Sequence, residues 1–255
     1  MLLAVDVGNT NTVLGLFDGE RLFESYRIKT DPRVTADELA LMFRGLLADH
    51  SKPDGVAVCS TVPAVLHELR LMFDRYFADV HTVVVGPGVR TGVPLLYDNP
   101  REVGPDRVVN TLAAHTLYGG PSVVVDFGTS TNFDVVSAKG EFLGGALAPG
   151  IEISVDALAA RAARLFKVEL KRPRSVIGKT TNEALQSGLL YGFAGQVDGM
   201  VRRIARELAD QGAAEPAVIA TGGLSHLMVT VCETLDHHEP DLTLHGLRLV
   251  HDRNT

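Results

Sequence analysis

The feature that most constrains this chain is a repeated turn. Asp6-Val7-Gly8-Asn9-Thr10-Asn11-Thr12 and Asp126-Phe127-Gly128-Thr129-Ser130-Thr131 both run acid, apolar residue, glycine, then small hydroxyl or amide residues, and Asp126 lies 120 positions after Asp6. Each follows an apolar run that reads as a buried strand, Leu2 to Val5 and Val123 to Val125, and leads into another strand. One such turn is ordinary turn chemistry. Two, each opening a β-β-β-then-helix succession, predict an α/β chain of duplicated lobes, residues 1–117 and 118–255, parted at Gly119-Gly120-Pro121.

Pattern and punctuation fill in the lobes. The first predicts strands at Leu2 to Val7, Thr12 to Phe17 and Arg21 to Lys29, with Asp18-Gly19 making a tight hairpin turn. A helix opens at Thr35, where Thr-x-x-Glu38 forms a capping box. Then come a strand at Gly55 to Cys59, a helix from Pro63 to about Phe77, a strand at Thr82 to Val85 and a Gly- and Pro-rich loop over 86–104. A helix from Pro105 to Leu117 closes the lobe. The second predicts strands at Val123 to Asp126, Phe133 to Ser137 and Phe142 to Leu147, and helices from Gly150 to Phe166 and from Thr180, with a capping box at Glu183, to Gln211. A strand at Ala217 to Ala220, a Gly222-Gly223 turn and a helix from Ser225 to Leu235 complete it.

Composition removes several classes of function. Lysine and arginine number 24 against 31 acids, for a formal net charge of −7, and the longest basic stretch is Lys171-Arg172-Pro173-Arg174. Nucleic acid is therefore not an expected partner. An acidic chain that takes an anion must use local amides and a metal ion. No run approaches the ~20 apolar residues of a membrane span. The opening Met-Leu-Leu-Ala-Val-Asp lacks the basic segment of a signal peptide, so no membrane is expected and the expected location is cytoplasmic. Cys59 and Cys232 stand apart, as a reducing compartment tolerates. None of the nine histidines has ligand spacing, His237-His238 reads as a surface turn, and no structural zinc is expected.

The turns themselves suggest phosphate. Phosphates need converging backbone N–H groups, and a glycine lets the main chain come close. An acid just before the glycine suits Mg²⁺ held through water beside the phosphates. The G-x-x-x-x-G-K-[ST] loop is absent, as is G-x-G-x-x-G after a strand. Ala220-Thr221-Gly222-Gly223-Leu224-Ser225 can set its backbone against a flat ring such as adenine. Gly104-Pro105-Asp106-Arg107 admits two readings. Asp106 and Arg107 can be a proton acceptor and an anion clamp at a helix start, or a dipole-complementing acid beside a surface arginine.

Together D-V-G-N-T-N-T at Asp6, G-P-D-R at Gly104, D-F-G-T-S-T at Asp126 and A-T-G-G-L-S at Ala220 resemble the type III pantothenate kinases. Tyr97-Asp98-Asn99-Pro100, Gly144-Gly145-Ala146 with Pro149-Gly150, and Thr180-Thr181-Asn182 are similar too, and the matches run in order from residue 2 to about 225. The resemblance implies the acetate and sugar kinase, heat-shock chaperone and actin superfamily. Its fold has two duplicated actin-like (ribonuclease H-like) lobes, each a mixed β-sheet flanked by helices, with the nucleotide cleft between. It implies ATP-dependent phosphorylation of pantothenate to 4′-phosphopantothenate, the first step of coenzyme A biosynthesis. By position, Asp6, Val7, Gly8, Asn9, Thr10, Asn11, Thr12 and Val13 would wrap the ATP phosphates, with Asp6 near Mg²⁺, and Thr129, Gly222 and Gly223 would meet the rest of the nucleotide. Asp106 would be the general base, and Tyr97, Gly104, Pro105 and Arg107 would hold pantothenate. Asp126 would bind a monovalent cation, K⁺ or NH₄⁺, and Thr181 would reach the substrate of the other subunit of a homodimer. The family's second turn usually reads D-F-G-T-A-T-T-F-D, so Ser130 and Asn132 depart from it, and Pro105 stands where a small residue is common. Another small-molecule kinase of the superfamily and a non-enzymatic nucleotide-binding regulator are the alternatives. The regulator would be expected to lack Asp6 or Asp106, and both are present.

Overall fold

Strand β1 (Leu2–Val7) sends alternate side chains to two buried faces. Leu3, Val5 and Val7 enter one apolar cluster, and Leu2 and Ala4 enter another. A strand covered on both sides reads as a continuous apolar run. The structure, a computed structural model, describes residues 1–161 and 168–255. By packing, the chain divides into two units. Unit 1 holds Met1–Val93, Asp98–Ala113 and Leu242–Thr255, and unit 2 holds Pro94–Tyr97 and Ala114–Asp241.

In unit 1, β1 is joined by β2 (Asn11–Asp18), β3 (Arg21–Lys29), β4 (Gly55–Ser60) and β5 (His81–Val84) in the order β3-β2-β1-β4-β5. The β1–β2 and β2–β3 pairs are antiparallel, and β1–β4 and β4–β5 are parallel. Helices α1 (Ala36–Leu46) and α2 (Pro63–Tyr76) cover one face through Leu39, Phe43, Leu69, Met72 and Phe73. The capping box of α1 forms as expected, Thr35 accepting from the Glu38 N–H while the Glu38 carboxylate accepts from the Thr35 N–H. The other face receives Val109 and Leu112 of α3 (Pro105–Tyr118) and Leu244, Leu247 and Val250 of α7 (Leu242–Asp252). Gly246 of α7 lies so near the Val109 carbonyl that a Cβ there would stand 2.2 Å from its oxygen.

Unit 2 repeats this plan strand for strand. Strands β6 (Ser122–Phe127), β7 (Ser130–Val136), β8 (Phe142–Pro149), β9 (Ala217–Thr221) and β10 (His237–His238) order as β10-β9-β6-β7-β8. The β6–β7 and β7–β8 pairs are antiparallel, and β6–β9 and β9–β10 are parallel. Helices α4 (Ile151–Arg161), α5 (Thr181–Asp210) and the short α6 (Ser225–Met228) accompany the sheet. Leu189, Leu190, Ala194, Val197 and Val201 of α5 pack with Val123, Val125 and Phe127 of β6. One detail breaks the repeat. Val7 pairs with Thr12 across the first turn, whereas Phe127 pairs with Thr131 across the second, so the second turn is one residue shorter.

Several expectations need correction. The cut at 117/118 does not carry the rest of the chain into one lobe, because the apolar side of α7 completes the core of unit 1. The expected helix from Ser225 to Leu235 ends at Met228. Beyond it the Glu233 and Thr234 N–H groups donate to the buried Asp198 carboxylate of α5 and leave the helical path. His237-His238 is no surface turn but the edge strand β10, beside Ile219 and Ala220. Thr180 caps α5 through the Glu183 N–H, yet Glu183 turns its carboxylate to the Lys179 N–H and Arg174, so only half the expected box forms. Helix α4 runs to Arg161, and the expected stretch to Phe166 lies outside the described residues. Among the described residues, no helix is long and apolar enough to cross a membrane.

Candidate active site

Asp6 is the next-to-last residue of β1, facing Val13 on β2 and Cys59 on β4 in register. The buried Cys59 thiol donates to Asp6 Oδ1 at 3.2 Å. Burial pushes the Asp6 carboxyl up to about 6. The Cys59 hydrogen bond opposes that rise, the negative charge of Asp106 adds to it and Arg27 opposes it. Burial, with Asp6 and Asp106 nearby, holds the Cys59 thiol well above its ordinary range, so it stays a neutral donor. Asp106 sits in the first turn of α3, and its Oδ1 is buried with no hydrogen-bond partner among the described residues. Burial raises its pKa as well, against the backbone N–H and charge of Arg107. A Cβ on Gly104 would stand 2.4 Å from that oxygen, so only glycine leaves Asp106 its position. Pro105 opens the helix, where a missing N–H costs nothing. Arg107 is 8 % exposed, which rules out the surface-arginine reading.

Two carboxylates in a desolvated place, each with its pKa raised by burial and the Asp6 carboxyl further raised by the charge of Asp106, call for a cation. The oxygen donors and the orphaned Asp106 Oδ1 fit a divalent ion such as Mg²⁺. Among the described residues no group of three or more His, Cys, Asp or Glu side chains is placed to hold a metal, so such an ion would depend on water and substrate oxygens.

The first turn stands directly beyond Asp6. Gly8 N–H donates to the Asn11 carbonyl at 3.0 Å, Asn9 and Thr10 are exposed, Asn11 and Val13 are partly covered, and Val7 and Thr12 are buried. The second turn, in unit 2, is built alike, with the Gly128 N–H on the Ser130 carbonyl at 3.0 Å and Thr129 exposed. Gly150 lies against it so tightly that a Cβ would come within 2.3 Å of the Thr129 carbonyl oxygen. Asp126, the counterpart of Asp6, faces Asn132 on β7 and Thr221 on β9 in register. Gly222 has φ +89°, and a Cβ there would stand 2.3 Å from Asp126 Oδ1, so this glycine is required by the end of β6. Gly223 follows it, its carbonyl oxygen 3.1 Å from the ring Nδ1 of His226. Tyr97 leans on Phe142 and Gly144, half-exposed, and Thr181 is the exposed first residue of α5. The structure thus gathers Asp6 to Val13 and Gly104 to Arg107 in unit 1, and Tyr97, Asp126, Thr129, Thr181, Gly222 and Gly223 in unit 2.

A family model described as type III pantothenate kinase matches residues 2–203. The chain belongs to this family. Among curated type III pantothenate kinases, that of Frankia alni is 66 % identical over 254 residues, and that of Salinispora arenicola is 66 % identical over 255, each covering 100 % of both chains. In fold the chain is similar to the ROK hexokinase of Thermus thermophilus, with a TM-score of 0.51 at 16 % identity over 99 % of each chain. The architecture is that of two duplicated actin-like lobes.

As a type III pantothenate kinase the chain departs from the quoted family pattern at Ser130 and Asn132. The structure joins the two, the Ser130 hydroxyl donating to Asn132 Oδ1 at 2.6 Å. Sequence reasoning missed Cys59 and Thr30 as neighbours of the first turn. Cys59 sits on β4 beside β1 and Thr30 just past the end of β3 beside β2, and only the strand order brings them there.

Proposed function

We propose that the chain transfers the γ-phosphoryl group of ATP to the primary hydroxyl of pantothenate, giving 4′-phosphopantothenate, with Asp106 as general base. The reaction class is that of its family, an ATP-dependent kinase acting at the first step of coenzyme A biosynthesis. The observation that carries the base assignment is the buried Asp106 Oδ1, which has no hydrogen-bond partner among the described residues and which Gly104 makes room for. A carboxylate cannot strip a free alcohol in the ground state, but it can take the proton late, as oxygen bonds to phosphorus. The raised pKa of Asp106 makes it a better late acceptor.

Phosphoryl transfer passes through a loose transition state, so alignment and charge neutralisation do most of the catalysis. The Asp6 to Val13 hairpin holds the phosphates, and Arg107, with Gly104, Pro105 and Tyr97, orients pantothenate. Thr129, Gly222 and Gly223 meet the remainder of the nucleotide. Asp6 would hold, through water, a divalent cation such as Mg²⁺, which would supply charge neutralisation at the phosphates. Asp126, with Thr221 and Asn132 beside it in register, offers oxygen donors of the kind that K⁺ or NH₄⁺ takes. Thr181 serves the substrate of the partner in a homodimer, and the chain works in the cytoplasm.

The test is an ATP- and pantothenate-dependent phosphorylation assay on Asp106→Asn, which keeps size and polarity but loses the proton acceptor. kcat should fall by ~10²–10⁴ with substrate binding little changed. Turnover within a few-fold of wild type would remove Asp106 from this role.

A further inference from the structure

The first turn is held by a residue outside it. Thr30, just past the end of β3, is buried and bonds to three members of the turn. Its backbone N–H donates to the Thr10 carbonyl at 3.0 Å, its hydroxyl donates to the Gly8 carbonyl at 2.8 Å, and its oxygen lies 2.9 Å from that of Thr12. A hydroxyl has one proton to give. That of Thr30 goes to Gly8, so Thr12 donates to Thr30, and the relay runs from Thr12 through Thr30 to the Gly8 carbonyl.

Two consequences follow. The Thr12 proton is already engaged within the protein, on a buried side chain, and is not offered to a phosphate. The second concerns the backbone. In a trans peptide the carbonyl and the following N–H point to opposite sides of one plane. Fixing the Gly8 carbonyl toward Thr30 therefore aims the Asn9 N–H away from Thr30, in a stretch where Asn9 and Thr10 are exposed. The bond to the Thr10 carbonyl fixes a second plane of the same turn.

We propose that Thr30 is a positioning residue for the kinase reaction, holding the first turn, and the Asn9 N–H above all, in the orientation that receives the ATP phosphates. The proposal rests on the reading of the Asp6 to Val13 hairpin as the phosphate site.

Thr30→Val keeps the volume and removes the hydroxyl, while Thr30→Ser keeps the hydroxyl. KM for ATP, with ADP and adenosine binding by calorimetry, separates the possibilities. Thr30→Val should raise KM for ATP and Kd for ADP about tenfold, the loss expected for one misaligned donor to a charged group. Adenosine affinity should not move, and Thr30→Ser should stay within about threefold of wild type on both nucleotides. Thr30→Ala carries the same expectation should Thr30→Val not fold. Gly8→Ala, whose Cβ would meet the Asn11 carbonyl at 3.2 Å, tests the hairpin itself. ATP and ADP affinity weakened by Gly8→Ala but not by Thr30→Val would overturn the proposal alone. If neither variant affects either nucleotide, the phosphate hairpin falls and the proposal with it. Equal loss in Thr30→Val and Thr30→Ser, or equal loss for adenosine, would also overturn it, since packing would then be the cause.

Discussion

Asp6→Asn keeps the shape of the side chain and its acceptor for the Cys59 thiol while deleting a buried charge. In the fold Asp6 titrates at about 6, against 3.8 for the free side chain. Between these values the folded chain binds more protons than the unfolded one, so wild-type stability falls as pH rises through that window. At roughly 1.4 kcal/mol per pKa unit the cost is about 3 kcal/mol, complete by pH 8 and about half developed at pH 5. Asparagine avoids it. Without metal or nucleotide, Asp6→Asn should melt above wild type at pH 8, by roughly 6–12 °C for a chain of this size. The gap should shrink by about half at pH 5. Activity should move the opposite way, with turnover and magnesium dependence both reduced. Calorimetric melting in EDTA at the two pH values, repeated with magnesium and ATP, reads all of this, and the ligands should stabilise wild type more than the variant. A variant that melts below wild type at pH 8 in EDTA would refute the reasoning, because Asp6 would then be holding the fold together rather than straining it.

Leu247→Ala should cost about 2–5 kcal/mol, the range for a fully buried leucine, and thermal melting would show it although the residue lies on a helix the sequence pattern did not reveal. Ser130→Ala and Asn132→Thr should couple, the double variant recovering about 0.5–1.5 kcal/mol relative to the sum of the singles in denaturant unfolding; additive effects would mean that their hydrogen bond contributes nothing. Replacing potassium by sodium should lower turnover, and Asp126→Ala should abolish the difference; full activity of the wild type in sodium alone would remove the cation from Asp126.

The local rules read well where one element decides its own shape. The Thr35 cap, the Pro63 and Pro105 helix starts and the Gly19 turn, at φ +58°, all lie where short-range chemistry puts them. The duplicated strands were legible because their apolar runs are buried on both faces. Legibility ended where a distant partner decides. The run Leu227, Met228, Val229, Val231, Cys232, Leu235 is apolar enough for a helix, but Asp198 claims the N–H groups that a helix there would need. The capping pattern at Thr180 was correct for the hydroxyl and not for Glu183, which Arg174 draws away. At the site, Asp6 and Asp106 were found by their motifs. That burial raises the proton affinity of both, with Asp106 adding to that of Asp6, and that Arg107 is buried, are matters of packing, which spacing does not report.

The return of α7 to unit 1 sets an order of manufacture. Every residue of Ala114–Asp241 in unit 2 is translated before Leu242–Thr255 emerges from the ribosome, although β1 precedes them all. Until then Leu2, Ala4, Phe17 and Ala57 lack the cover of Leu244, Leu247 and Val250. The earlier-made sheet is thus the later to be fully closed, and the part of its face that α7 covers, beside Val109 and Leu112 of α3, stays open to chaperones and to wrong partners while the second lobe is made.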